Sequence, residues 1–205
     1  MHDLPADVPS PIDLQAEADA RAWAEQANAL RPWRSTFFET IADALDASRP
    51  LRVLELGSGP GFLAEVVLQR RPLVEMVLLD FSEPMHRMAR ERLQPFRDRV
   101  SHALRSFKAP DWMDGLGCFD AVLTHQAVHE LRHKRYTQPL HRQVRGLLND
   151  GGSYLMSDHW FGEGGMHKEG LYLTVDEQRE ALRGAGFEHV TPLLQQHGIV
   201  LFLAR

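Results

Sequence analysis

The chain has 205 residues, of which 43% are hydrophobic and 25% charged, and a formal net charge of −5. This length and composition fit one globular domain with a single sizeable core. The acidic balance excludes the broad basic surface that phosphate neutralisation needs, so no nucleic-acid partner is expected, and a local cluster such as Arg132 to Arg135 reads as a solvated face. The one cysteine, Cys118, excludes an intrachain disulfide and fits a reducing, cytoplasmic compartment. No apolar run is long enough to span a bilayer, and residues 1–11 carry acids and prolines rather than a basic-then-apolar leader, so neither a membrane partner nor export is expected.

In chain order, Pro5, Pro9 and Pro11 predict a loose arm over residues 1–11. An alanine-rich helix is expected over 12–30, and Pro32 suits the first turn of a second, over 33–45. Strands are expected at 51–56, 74–80, 99–104, 119–124 and 152–158, with helices at 61–70, 83–94, 126–134 and 137–148. The turn between the last helix and strand falls at Asn149-Asp150-Gly151-Gly152. Thr174 and Glu177 form a capping-box pattern that opens a further helix ending near Gly184. Two strands, 188–195 and 199–204, follow around His197-Gly198. Alternation of this kind predicts an α/β fold with a mostly parallel sheet covered on both faces.

The strand at 51–56 runs into Gly57, Gly59 and Gly61, where glycine allows a sharp turn and close approach to a ligand. A dinucleotide fingerprint would need glycine at Phe62, which argues against a NAD-linked oxidoreductase. The run Glu55-x-Gly57-x-Gly59-x-Gly61 instead resembles motif I of the class I S-adenosylmethionine (SAM)-dependent methyltransferases, E/D-x-G-x-G-x-G. Asp80 closes the second strand, and Ser82-Glu83-Pro84-Met85 opens a helix, which resembles that family's D-x-S-x-x-M segment. The resemblance spans about residues 50–205. It implies a Rossmann-like, seven-stranded sheet of order 3-2-1-4-5-7-6 with the last strand antiparallel and helices on both faces. Within one domain, residues 1–48 would form an arm and lid-like helices, and 49–205 the SAM-binding core.

The resemblance also implies a site. Ligands of open α/β sheets lie beyond the carboxyl ends of the strands. Glu55, Gly57, Ser58, Gly59 and Gly61 would face the methionine part of SAM, Asp80 the ribose, and Phe81 and Met85 the adenine. The family's acidic residue after the third strand is missing from Leu104-Arg105-Ser106-Phe107, so the adenine contact is expected from Ser106 and Phe107. Thr124 and His125 would meet the amino-acid end of SAM, in a segment unlike the N-P-P-Y motif of methyltransferases acting on nucleic-acid amino groups.

His125, His129 and His159 are the candidate general bases, since imidazole titrates near neutrality. His125 and His129 would share one helical face, and Asp158 would orient an imidazole or cap the next loop. The competing reading makes some of these histidines hydrogen-bonded packing groups. A third reading gathers them with Asp158 around a metal, although no metal is assigned. Residues 160–165 read as a flap over the acceptor or as a plain surface connection, and Trp23, Trp33 and Phe37 as core or lid packing. The expected activity is methyl transfer from SAM to an oxygen or nitrogen of a small molecule, leaving S-adenosylhomocysteine. The alternatives are a SAM-binding regulatory module without transfer and a metal-assisted methyltransferase.

Overall fold

A computed structural model describes residues 6–205. Its framework is a seven-stranded sheet of order β3-β2-β1-β4-β5-β7-β6, the order that the resemblance implies. The strands are β1 (Leu51–Leu56), β2 (Val74–Asp80), β3 (Val100–Leu104), β4 (Phe119–His125), β5 (Leu148–His159), β6 (Val190–Gln196) and β7 (Ile199–Ala204). β1 pairs in parallel with β2 and β4, while β7 runs antiparallel to both β5 and β6.

The central strands are apolar on both faces because both faces are covered. Alternate residues of each strand therefore feed two cores. Leu54, Leu56, Val122, Tyr154 and Met156 pack under α5 (Thr137–Leu147) and α6 (Val175–Gly184). Val53, Ala121, Leu123 and Leu155 face the other way, toward α2 (Arg34–Asp43) and α3 (Phe62–Arg70). The same period of two sends Glu55 and His125 toward α2. α1 (Glu17–Ala29) lies against α4 (Glu83–Arg92). Local chemistry sets the helix starts. Ser82 Oγ accepts from the Met85 amide at 3.2 Å, and Thr174 and Glu177 close a reciprocal capping box.

Three expectations change. No α-helix covers 126–134; Val128–Leu131 and Lys134–Tyr136 are short 3₁₀ turns. Left-handed residues at Gln126 (φ 56°) and Arg132 (φ 68°) break the helix there, so His125 ends a strand and shares no helical face with His129. The turn expected at 149–152 lies inside β5, where the pairing slips between Phe119–Leu148 and Ala121–Ser153 as a bulge. The arm is not loose over its described part. The Val8 amide donates to the Arg132 carbonyl at 2.8 Å, Arg132 Nε donates back to the Val8 carbonyl at 2.8 Å, and Arg132 Nη2 donates to the Pro9 carbonyl at 2.6 Å. The other arm residues of that prediction, 1–5, lie outside the described residues. No helix among the described residues is long and apolar enough to cross a membrane.

Candidate active site

A cavity of about 340 Å³ opens beyond the carboxyl ends of β1, β2, β4 and β5. Glu55, Gly57, Ser58, Gly59, Asp80, Phe81, Met85, Ser106, Phe107 and His125 line it, as do His129 and His159. Gly61 and Thr124 do not. Gly61 lies at φ 79°, and a Cβ there would sit 3.1 Å from Leu93 Cδ1, so its smallness serves the packing of α3 on α4. Thr124 is buried on the opposite face of β4, with its hydroxyl unpartnered.

The glycine loop and Asp80 form one unit. The Gly59 amide donates to Asp80 Oδ2 at 2.8 Å, and the Ser82 amide donates to Oδ1 at 2.9 Å. These two donors hold the carboxylate at the rim of the cavity with lone pairs remaining on each oxygen. Burial raises the Asp80 pKa against those amides, which lower it. Glu55 is buried more deeply, and its Oε2 has no partner. Burial, and then the nearby Asp80 charge, push its pKa well above the ordinary carboxylate range. Ser58 Oγ is a further buried, unpartnered atom in this wall. A Cβ on Gly59 would meet nothing within 4 Å, so the loop presents bare backbone to open space.

The three histidines occupy different environments. His125 packs against the Phe37 and Phe38 rings, with Nδ1 placed 3.0 Å from Ser157 Oγ and Nε2 accepting from Arg34 Nε at 3.5 Å. Burial first, and then the Arg34 charge, hold it neutral. His159 has Nε2 2.9 Å from the Gln126 amide nitrogen and a buried, unpartnered Nδ1; burial lowers its pKa as well.

His129 is the charged one. Its Nδ1 lies 2.7 Å from Asp158 Oδ1, and its own amide donates to Asp158 Oδ2 at 2.7 Å. Nε2 lies 3.4 Å from Glu130 Oε1, on the cavity side. Burial alone would lower its pKa. The charge and hydrogen bond of Asp158, with Glu130 behind them, outweigh that and raise it to about 10. Asp158 therefore does both jobs open to it in the sequence: it orients an imidazole, and it caps the backbone at His129 and His159. Among the described residues, no group of three or more His, Cys, Asp or Glu side chains is arranged to hold a metal ion, so these histidines and Asp158 do not converge as a ligand set.

Residues 160–165 stay off the cavity wall. Trp160 is buried, and the loop is closed by a bridge between Phe161 and Met166. Trp33 stacks on His197, with centroids 5.0 Å apart, and Phe37 lies in the core, whereas Trp23 reaches the cavity. Sequence reasoning missed Arg34, Arg31, Lys108 and Glu130, all on the wall, and Ser10, Ile12, Asp13 and Leu14, which also line it. None of these carries a spacing signal. Arg34 in particular sits in an otherwise ordinary amphipathic start, Arg34-Ser35-Thr36-Phe37-Phe38.

Comparison with known proteins agrees with this geometry. Residues 54–154 match the family model of a methyltransferase domain. An O-methyltransferase family 2 protein from Planctomyces limnophilus, solved with apigenin, has the same fold, with a TM-score of 0.74 and 21% identity over 96% of this chain and 62% of that one. Human N-acetylserotonin methyltransferase, solved with SAM, has a TM-score of 0.71 and 18% identity over 93% of this chain and 56% of that one. A ribosomal RNA small subunit methyltransferase H from Cutibacterium acnes is 37% identical over 94 residues, which is 44% of this chain and 27% of that protein. The chain spans less than two thirds of the length of each of these proteins. Residues 54–154, just under half of the chain, thus resemble a methyltransferase domain, and the fold is the one these methyltransferases share.

Proposed function

We propose that this chain transfers a methyl group from SAM to an oxygen or nitrogen of a small-molecule acceptor, with the deprotonated form of His129 taking the acceptor's proton. The observation that carries this reading is the 2.7 Å His129–Asp158 pair on the wall of the cavity that also holds the glycine loop. The residues fit the cofactor: bare backbone at Gly59, a rim carboxylate at Asp80, and unpartnered buried oxygens on Glu55 and Ser58. When bound, SAM supplies a methyl group already activated on a sulfonium.

The protein's task is then alignment, water exclusion and handling of one proton. When SAM is bound, Asp80 would accept from the ribose hydroxyls, and Phe81, Met85, Ser106 and Phe107 would flank the adenine. His129 presents Nε2 to the acceptor, and Asp158 fixes the ring. His125 and His159 are neutral and held by neighbours, so they serve as walls of the acceptor space. The segment before residue 49 acts as a lid; Trp23, Arg31, Arg34 and Phe38 already line the cavity, and the arm crosses it. A small acceptor is favoured by a cavity roofed in this way and by the net charge of −5; the match to the RNA methyltransferase covers only part of either chain.

Calorimetry tests the reading. SAM and S-adenosylhomocysteine are expected to bind and NAD is not; tight NAD binding with no SAM binding would overturn it. Asp80→Ala is expected to weaken SAM binding by about 1.5–3 kcal/mol, the worth of a hydrogen bond to a charged group, since both ribose contacts and the tie to Gly59 are lost. Unchanged affinity in that variant would show that Asp80 does not hold the ribose.

A further inference from the structure

Arg34 is a buried guanidinium, 5% exposed, at the first turn of α2. Its Nη1 donates to Asn28 Oδ1 at 3.0 Å, its Nε reaches His125 Nε2 at 3.5 Å, and its plane lies over the rings of Trp23, Phe38 and Phe62. Among the described residues it forms no ion pair with a carboxylate. Glu55 is the mirror case: a buried carboxyl, 3% exposed, whose Oε2 has no partner. Both side chains line the same cavity, beside the glycine loop, and they do not pair with each other.

A buried guanidinium without a carboxylate and a buried carboxyl oxygen without a donor are both costly to keep in a fold. Each would be satisfied by a ligand carrying both charges. The α-amino acid end of SAM is such a group, with a carboxylate and an ammonium on one carbon. Resting on the cofactor reading above, we infer that Arg34 receives the carboxylate of the cofactor's methionine end while Glu55 faces its ammonium. A guanidinium fork suits a carboxylate better than a lysine would, and the three rings that fix Arg34 spare it the entropy of ordering on binding. The pair would also tie α2 to the bound cofactor, so the lid closes on a complete SAM and not on a truncated nucleoside.

Decarboxylated SAM separates the two contacts, because it keeps the ammonium and lacks the carboxylate. Titration calorimetry on the full chain is expected to give tighter binding of SAM than of decarboxylated SAM by about 10–100-fold. In Arg34→Met, which keeps the stem among the rings, SAM should weaken by that factor while decarboxylated SAM stays within about twofold, so the preference disappears. In Glu55→Gln both ligands should weaken together. Equal affinities in the wild type, or a preference intact in Arg34→Met, would overturn the inference while leaving the cofactor reading in place. A wild type that binds neither ligand would overturn that reading and the inference with it. If Arg34→Met melts before it can be titrated, Arg34→Lys takes its place; a reduced preference for SAM supports the clamp, and equal loss for both ligands overturns it.

Discussion

Replacing His129 by alanine is expected to lower turnover by about 10²–10⁴-fold and to leave SAM affinity nearly unchanged, because the imidazole would face the acceptor in the proposed reaction. The warrant is geometric first: Nδ1 is tied to Asp158 at 2.7 Å, and Nε2, 3.4 Å from Glu130 Oε1, lies on the cavity side. The electrostatics add a direction in pH. His129 is raised to about 10, so the ring is protonated at neutral pH and becomes a proton acceptor only as pH rises. The reactive complex holds one proton fewer than the resting one, and kcat/KM should climb with pH toward about 10 or toward the acceptor's own pKa, whichever is lower. Asp158→Asn removes the main raising influence and should move that limb down toward the ordinary histidine range at a lower maximal rate. Stability should follow the opposite sign. A histidine raised in the fold contributes fully below its free value and loses that contribution as pH passes through about 10. Initial rates across pH for wild type, His129→Ala and Asp158→Asn check the set. Wild-type rates in His129→Ala would leave alignment alone as the mechanism.

The cavity wall around the glycine loop was readable in the sequence because it depends on residues close together along the chain. Glu55 to Gly61 and Asp80 to Met85 each join a strand end to a helix start, and strand period and helix capping are local signals. The wall that carries His129 was only partly readable. His129 and Asp158 are 29 residues apart and meet because β4 and β5 run parallel in register, with His125 opposite Ser157. Sequence spacing instead suggested an i, i+4 pair of His125 and His129, and two left-handed residues defeat that pattern. Gln126 and Arg132 carry no mark of positive φ, since side chains adopt it only where the surrounding structure imposes it. Arg34 and the arm were invisible for a related reason. Their roles rest on contacts across long stretches of chain, 91 residues from Arg34 to His125 and 124 from Val8 to Arg132.

Gly59→Val is expected to weaken SAM binding by about 100-fold or more, the largest loss of any single change in the glycine loop. Two effects act, and they are measured separately. Gly59 lies at φ 53°, in the left-handed region that a β-branched residue occupies only with strain, about 1–2 kcal/mol. That strain is present with or without ligand, so it shows as lower thermal stability. The side chain itself has no protein atom within 4 Å of its Cβ position and projects into the space in front of the loop. Any ligand there must give way, and the loop cannot retreat easily because the Gly59 amide is tied to Asp80 at 2.8 Å. That exclusion shows as lost affinity. Gly61→Val provides the contrast: its Cβ would press on Leu93 at 3.1 Å, away from the cavity, so it should lose stability with less direct effect on ligand contacts. Thermal unfolding and SAM titration of both variants separate the roles. Near wild-type SAM affinity in Gly59→Val would mean that the cofactor does not pass in front of this loop. Lost affinity that tracks stability equally in both variants would reduce motif I to a folding element.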